Sequence, residues 1–451
     1  MQAEIREQWQ SQIGFLLSSV GSIVGLGTLW RLPYVMGQNG GGAFILVFLL
    51  CNLFVGIPLF AAELVLGRVG KQGSIGIFTR LSAPGSSWAS LGWLNAIGAL
   101  LVFSWYSVVA GWGFHYMLMS LTDALQGKSA TQVGELFDLF RSSGELNVLF
   151  QVLFLATTGL VVLPGIASGI ERYSRFMSLG LFAVLLGLVA YSCTLKGFSQ
   201  AVRYALYPNF AALTTQGALK ALGLSLFSLS LGFGMTLTYG SYMQSNEDIP
   251  KISLTIGVAN LVVTILIALM IFPMIFTFGF EPEGGEGLVF KTLPFVFAQL
   301  PGSLLVSLLF FVLLLFTALT SSVAMLEAIV ANLMDIKGWS RGWCVLCGCA
   351  AAWIVGLPTA IVDLFPTWTH IYGRDFFATI DLLTDWMLII AACFTSLFVG
   401  WKLDNASRRN GFTTGSQLQW LYKPWLLFMR FIVPCCVISI LFQYLGFFQF
   451  G

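Results

Sequence analysis

Residues 14–42 read GFLLSSVGSIVGLGTLWRLPYVMGQNGGG, an apolar stretch broken by Gly21, Gly25 and Gly27 and followed by Arg31, Pro33 and a run of glycines. Two chemistries are available there. A helix that stops inside a bilayer frees carbonyl oxygens, which suit a hard cation, and N–H groups, which suit a carboxylate. A second stretch, LSLFSLSLGFGMTLTYGSY at 224–242, brings the hydroxyls of Ser225, Ser228 and Ser230 up to Gly232-Phe233-Gly234. A third site of oxygen, Thr320-Ser321-Ser322, lies in an otherwise apolar run. Taken alone, such hydroxyls bond back to their own helix's carbonyls. Beside a broken helix they become candidate ligands. Arg31 and Glu63 sit within apolar segments, where an ionisable group is costly and is read first as functional.

These groups need membrane-spanning elements to position them. The chain has 451 residues, 57% hydrophobic and 9% charged, against about 25% charged in a soluble domain. The composition is that of an all-α polytopic membrane protein with little soluble mass. Net charge is +2, with no basic patch for nucleic acid. Apolar runs predict spans near 12–37, 42–70, 90–122, 147–166, 173–195, 218–243, 253–279, 302–335, 341–362, 376–401 and 422–448, each long enough to cross with tilt. The polar start followed by a segment without a small-residue cleavage site reads as an uncleaved N-terminus. With that end inside, fourteen basic residues fall on the cytoplasmic side and seven outside. The positive-inside rule therefore predicts a multi-pass protein of the inner (plasma) membrane, N-terminus cytoplasmic and C-terminus extracytoplasmic.

Outside the spans, residues 123–146 are polar enough for a surface helix. Residues 281–300 end in an apolar run too short to span, which reads as a re-entrant or capping segment. Cys344, Cys347 and Cys349 have a faintly metal-like spacing, but no second cysteine pair or nearby histidine completes a site. His115 and His370 are the only histidines. A membrane-embedded enzyme would need a nucleophile–base pair that these residues do not offer. A channel would need a continuous polar pore, whereas the polar residues here converge on one depth.

The two interrupted helices stand first in two groups of five. Two such helices in corresponding halves point to the midplane site of a secondary transporter. The expected organisation is a cytoplasmic segment at 1–11, a first repeat of helices 1–5 at 12–195, and an inverted second repeat of helices 6–10 at 218–401 with the outer segment 281–300. Helix 11 follows at 422–448.

WQSQIGFLLSSVGSIVGLGTLWRLPYVMGQNGGGAF resembles the first transmembrane segment of the neurotransmitter:sodium symporter family. GIPLFAAELVLGR, SLSLGFG and LTSSVAM resemble its second, sixth and eighth segments. The likeness runs from end to end and implies a LeuT-like 5+5 inverted repeat with broken helices 1 and 6, as in bacterial amino-acid transporters. It implies Na⁺ as the coupling ion and a small-molecule amino acid as the substrate. One sodium site would use the carbonyls of Gly21, Val24 and Thr317 with the hydroxyls of Thr320 and Ser321. A second would use Ile23, Thr28, Ser228 and Asn260. The family pattern has asparagine where Thr28 stands, a longer and better ligand, so the sequence leaves the number of ions open. Two usual chloride donors are replaced by Phe48 and Leu224, and a third position holds Thr264, which implies no strong chloride dependence.

The resemblance also assigns a substrate pocket. Gly25 stands where amine transporters of the family carry aspartate, and it leaves room for a substrate carboxylate against the N–H groups of Leu26 and Gly27 and the hydroxyl of Tyr106. The ammonium would meet Ser22, Phe227 and Ser228 carbonyls and Ser230. Val102, Phe227, Phe233, Ser321 and Met325 would surround a neutral apolar or aromatic side chain. Arg31 would pair with Asp381 or Asp385 at an outer gate. Arg6 and Asp335 would form an inner one with Trp9 and Tyr242. Glu63 would satisfy backbone freed at the break. The expected function is sodium-coupled import of such an amino acid by alternating access. A non-transporting receptor of the same fold is the alternative.

Overall fold

The computed structural model describes residues 6–280, 287–365 and 368–444. Residues 1–5 of the expected N-terminal segment, 281–286 of the outer segment and 445–448 of helix 11 lie outside the described residues. The protein is an all-α polytopic membrane protein. Among the described residues nine helices are long and apolar enough to cross a bilayer, and Gln12–Ile23 with Gly27–Gln38 form a further span bent by 46°. That bent pair is α1. The others follow as α2 (Gly42–Gly70), α3 (Ser87–Leu121), α4 (Gly144–Val162), α5 (Ile166–Ser192), α7 (Ile249–Thr277), α8 (Ser303–Lys337), α9 (Arg341–Ala360), α10 (Phe376–Lys402) and α11 (Gln419–Gln443). Between α5 and α7 lies α6, in two short pieces, Thr215–Ser228 and Met235–Ser241.

Both breaks have local causes. In α1 the ladder ends at Ile23, and Val24 turns out of it at ψ 72°. In α6 three residues take left-handed backbone, Ser230 (φ 56°), Gly232 (φ 76°) and Gly234 (φ 75°). Glycine adopts that region without a Cβ clash. Ser230 is held there by donating its hydroxyl to Ser22 O across the gap. The second half of α6 packs backbone to backbone on α2: a Cβ on Gly67 would stand 2.3 Å from Leu237 O.

Among the nine continuous spans of the described residues α3 is the most enclosed, with 72% of its apolar window buried, while α5, α9 and α11 bury only 33%, 39% and 33% and form the outer ring. α3 packs against α8, α9, α4 and α10, and the inner half of α1 lies against α5 and α8. Burial of a near-continuous apolar cluster from these elements fixes the wall around the two breaks.

Some boundaries differ from the sequence expectation. The span expected at 173–195 starts earlier, at Ile166, because Pro164-Gly165 (Gly165 φ 99°) ends α4 and restarts the helix. The polar loop at 123–146 contains a helix, Ala130–Ser142, and the apolar run after residue 287 is a buried helix, Leu288–Gln299. Both dock on the outer end of α3, where Trp112 meets Phe137 and Phe290 edge-on. Two short helices on the opposite face, Ser74–Leu81 and Asn405–Thr413, have no counterpart in the sequence reading.

Candidate functional site

The two breaks face one another across the middle of the molecule, with α3 and α8 closing the sides. Ser22 O, freed at the end of the inner half of α1, accepts from Ser321 Oγ at 2.9 Å and from Ser230 Oγ at 3.3 Å. One residue earlier, Gly21 O accepts from Thr320 Oγ1 at 2.8 Å. Thr320 and Ser321 also reach Thr317 O, at 3.0 and 3.2 Å. Hydroxyls and carbonyls of two helices therefore crowd one spot without a fixed charge. That donor set fits a hard monovalent cation: a hydroxyl that turns its proton aside offers a lone pair, and neutral oxygens are the ligands such ions take. The structure brings Gly21, Thr317, Thr320 and Ser321 together, with Val24 at the C-cap of the same α1 half.

Residues proposed for a second ion lie on the other flank of the break. Asn260 Nδ2 donates to Ser228 Oγ at 3.1 Å. Asn260 Oδ1 and Thr28 Oγ1 are buried without a partner among the described residues. Ile23, Thr28 and Ser228 line the same central cavity.

That cavity is nearly filled by its own side chains: its free volume is about 20 Å³, room for about one water and far below the range of about 300–1,000 Å³ usual for small-molecule sites, so a substrate enters only as the walls move apart. Of the twelve residues the sequence assigned to the substrate, Ser22, Gly25, Gly27, Val102, Tyr106, Phe227, Ser228, Ser230, Phe233, Ser321 and Met325 line it. Leu26 does not, but its N–H donates to Tyr106 Oη at 3.3 Å. Met235, which the sequence reading passed over, completes the lining. Its lining combines polar groups of Ser22, Tyr106, Ser228, Ser230 and Ser321 with apolar side chains, as suits a small amphiphile.

The cavity is closed on both sides. On one side, the Arg31 guanidinium forks to both aspartates, Nη1 to Asp385 Oδ1 at 2.9 Å and Nη2 to Asp381 Oδ2. The choice the sequence left open is thus resolved as both. Arg31 also lies over the Phe227 ring, 4.8 Å from its centroid. Tyr106 and Phe233, each only 2% exposed, lie beneath. Beyond them an outer vestibule opens between Trp30, Phe377, Arg374 and Gln443. On the opposite side, Arg6 pairs with Asp335 at 3.0 Å and sits 4.7 Å above the Tyr242 ring. Trp9 is buried, its indole N–H donating to Tyr239 O at 3.1 Å.

Sequence reasoning missed a deeper set of inner contacts. Tyr242 Oη donates to Glu327 Oε1 at 2.6 Å, and Glu327, fully buried, pairs with Arg341. Glu171 of α5 accepts from Gln10 N and Ser11 Oγ, both at 2.7 Å, and ties down the start of α1. Asp335 accepts from Gly73 N at 2.5 Å as well as from Arg6. The available signal was a carboxylate inside an apolar helix, the one already used for Glu63. Glu63 itself accepts from Gly232 N at 2.8 Å, in the α6 break. Near the altered chloride position Phe48 and Leu224 join an apolar cluster. Thr264 Oγ1 and both amide atoms of Asn52, one turn beyond Phe48, are buried without partners among the described residues.

Comparison with known proteins gives concordant matches. Residues 6–134 and 128–449 match the model of the sodium:neurotransmitter symporter family. The chain is 36% identical to an uncharacterized sodium-dependent transporter, YhdH, of Bacillus subtilis, covering 98% of both chains. It is 30% identical to an uncharacterized sodium-dependent transporter of Haemophilus influenzae, over 96% of this chain and 97% of the relative. The solved structure of MhsT in complex with L-phenylalanine is similar with a TM-score of 0.89 and 33% identity, over 98% of this chain and 100% of that one.

Proposed function

Since the chain belongs to the sodium:neurotransmitter symporter family and is a sodium-dependent symporter, not an enzyme, we propose that it imports a neutral, apolar or aromatic L-amino acid by alternating access. The observation that carries this reading is the central cavity, where a glycine at position 25 faces Tyr106 and Ser321 and the rest of the lining includes Val102, Phe227, Phe233, Met235 and Met325. The substrate carboxylate lies at the N-terminal end of the outer half of α1, on the N–H groups of Leu26 and Gly27, where the helix dipole favours an anion. The ammonium meets Ser22 and Phe227 carbonyls and Ser230. That MhsT was solved with L-phenylalanine supports an aromatic or large apolar side chain.

In this reading the oxygens of Gly21, Val24, Thr317, Thr320 and Ser321 hold sodium and pin the inner half of α1 against α8. Ile23, Thr28, Ser228 and Asn260 form the second ion position. Phe233 and Tyr106 close over the substrate, and Arg31 with Asp381 and Asp385 seals the outside. Release of Arg6 from Asp335 and of Tyr242 from Glu327 opens the inner mouth, and sodium then leaves toward low concentration. Each Na⁺ moving down the membrane potential is worth about 2.3 kcal/mol per 100 mV, before the concentration gradient is added. The two five-helix repeats, 12–195 and 218–401, are related as inverted units in the plasma membrane. Arg6, Asp335 and the α10–α11 connection face the cytoplasm, in keeping with the charge bias.

The test is uptake of a panel of labelled amino acids into proteoliposomes under an inward sodium gradient, with potassium as control. Sodium-driven accumulation of an apolar or aromatic member is expected. Binding without accumulation would favour a receptor, and no response to any amino acid would overturn the carboxylate argument at Gly25. The same assay checks the anion. With Phe48 and Leu224 packed in an apolar cluster, uptake in chloride and in gluconate is expected to be equal; a several-fold loss in gluconate would show that Thr264 and Asn52 hold chloride after all.

A further inference from the structure

The segment 398–432, which ends α10 and begins α11, carries Lys402, Arg408, Arg409, Lys423 and Arg430 against a single acid, Asp404. Asp404 is committed elsewhere. It caps the helix Asn405–Thr413, accepting from Ser407 N at 2.9 Å, and those backbone N–H groups hold it below the usual carboxylate range. Arg408 is buried and spent on the carbonyls of Val399, Gly400 and Leu403. Lys402, Arg409 and Lys423 are exposed.

Arg430 differs from the others. It lies within the apolar part of α11, with exposed Leu427 and Phe431 on either side in sequence. Its guanidinium lies over the Trp401 ring, 4.9 Å from the centroid, and its Nε donates to Gly400 O at 2.9 Å. Trp401 returns a bond, its indole N–H donating to Arg430 O at 3.3 Å, and packs edge-on against Phe431. The side chain is therefore fixed through its stem and Nε, while no carboxylate or carbonyl among the described residues meets Nη1 or Nη2. A guanidinium immobilised in this way, at the level of an interfacial tryptophan, presents the planar two-nitrogen fork that matches a phosphate. The lipid-facing neighbours decide what carries that phosphate. A soluble anion would have to enter beside Leu427, Phe431 and Trp401, whereas a phospholipid places its acyl chains on those side chains and its phosphodiester at the fork. Basic clefts between helix ends facing the cytoplasm suit anionic head groups.

We propose that Arg430, stacked on Trp401 where the end of α10 packs against α11, binds the phosphodiester of an anionic phospholipid, with the exposed Lys402 and Lys423 adding positive charge to the same stretch of chain. The site is remote from both breaks in α1 and α6 and stands whether or not the carried substrate is an amino acid.

The experiment reconstitutes the full chain in vesicles of equal phosphatidylcholine and phosphatidylglycerol, extracts it in mild detergent and measures bound lipid by mass spectrometry of the intact protein. Phosphatidylglycerol is expected to be enriched over phosphatidylcholine. Arg430→Gln should lose that enrichment, Arg430→Lys should keep part of it, and sodium-driven uptake should persist in both. Should Arg430→Gln fail to fold, the surface pair Lys402→Gln with Lys423→Gln carries the test, and a clear fall in enrichment is expected. Equal occupancy by both lipids in the wild type, or enrichment unchanged in these variants, would overturn the site. Loss of the bound lipid on adding inorganic phosphate alone would overturn the lipid assignment in favour of a free anion.

Discussion

Thr320→Ala combined with Ser321→Ala is expected to abolish sodium-dependent uptake while leaving folded protein in the membrane. These are the two hydroxyls that cross from α8 to the freed carbonyls of α1, Thr320 Oγ1 to Gly21 O and Ser321 Oγ to Ser22 O. Without them the ion keeps only backbone oxygens on one side, and a small hard cation with too few ligands stays hydrated. Folding survives because neither hydroxyl holds up the helix. Both lie inside α8, a continuous helix from Ser303 to Lys337, whose ladder is backbone only. Each deleted bond costs about 1 kcal/mol net.

The two positions can be separated. Thr320 is absent from the central cavity, while Ser321 lines it. Thr320→Ala alone should therefore weaken the response to sodium with little change in substrate selectivity, and Ser321→Ala should alter both. A melting experiment distinguishes loss of the ion from loss of fold. Wild-type protein should be stabilised by added sodium, since a ligand bound only to the native state raises apparent stability. The double variant should keep only the smaller shift that the second ion position at Thr28 and Asn260 supplies. Retained uptake with unchanged sodium dependence would refute the site.

The parts of this arrangement that were legible in the sequence are those encoded locally. Glycines at 21, 25 and 27 inside an apolar run, and the Gly232-Phe233-Gly234 turn, mark where a helix must stop, because little else in such a run would stop it. Family resemblance then assigned residues that lie far apart in the chain, and most of them face one cavity. What stayed hidden depends on distances between elements. The sequence could not choose between Asp381 and Asp385, although their spacing of four places them one turn apart on a single helix face. A planar fork reaches both, which a one-to-one pairing overlooks. The Phe227 ring beneath Arg31 was invisible because nothing in either sequence neighbourhood refers to the other. Glu327 was missed for a different reason. It follows Thr320 by seven residues on α8, toward Asp335, and a carboxylate there should have been asked for its partner. That partner, Arg341, lies in the next helix. The short helices Ser74–Leu81 and Asn405–Thr413 were missed because each is only eight or nine residues long and contains a glycine, Gly76 or Gly411, and the second is mostly polar.

Gly25→Asp is expected to remove amino-acid transport and to do so by charge. The backbone at Gly25 is not in the left-handed region, so a side chain is tolerated there. A Cβ would stand 3.0 Å from Ser321 Oγ and 3.6 Å from Tyr106 Oη. The nearer atom is the end of a rotatable hydroxyl and can give way. Steric exclusion is therefore the smaller effect, and Gly25→Ala measures it directly. The carboxylate adds a second charge in the space where the substrate's own carboxylate meets Leu26 N–H and Tyr106. Two like charges about 4 Å apart at an effective dielectric of about 20 repel by about 4 kcal/mol. That corresponds to about a thousandfold in affinity. Gly25→Asn supplies the matching neutral control, since it fills the same volume and keeps an oxygen. The expected order of amino-acid affinity is wild type, then alanine, then asparagine, with aspartate far below. The aspartate variant should at the same time gain affinity for a small aromatic amine without a carboxylate, because its new charge replaces the one the substrate lacks. Equal losses in Gly25→Asn and Gly25→Asp would leave bulk as the cause and reject the charge argument. Unchanged affinity in Gly25→Asp would reverse the orientation of the substrate, placing its carboxylate at the α6 break and its ammonium elsewhere.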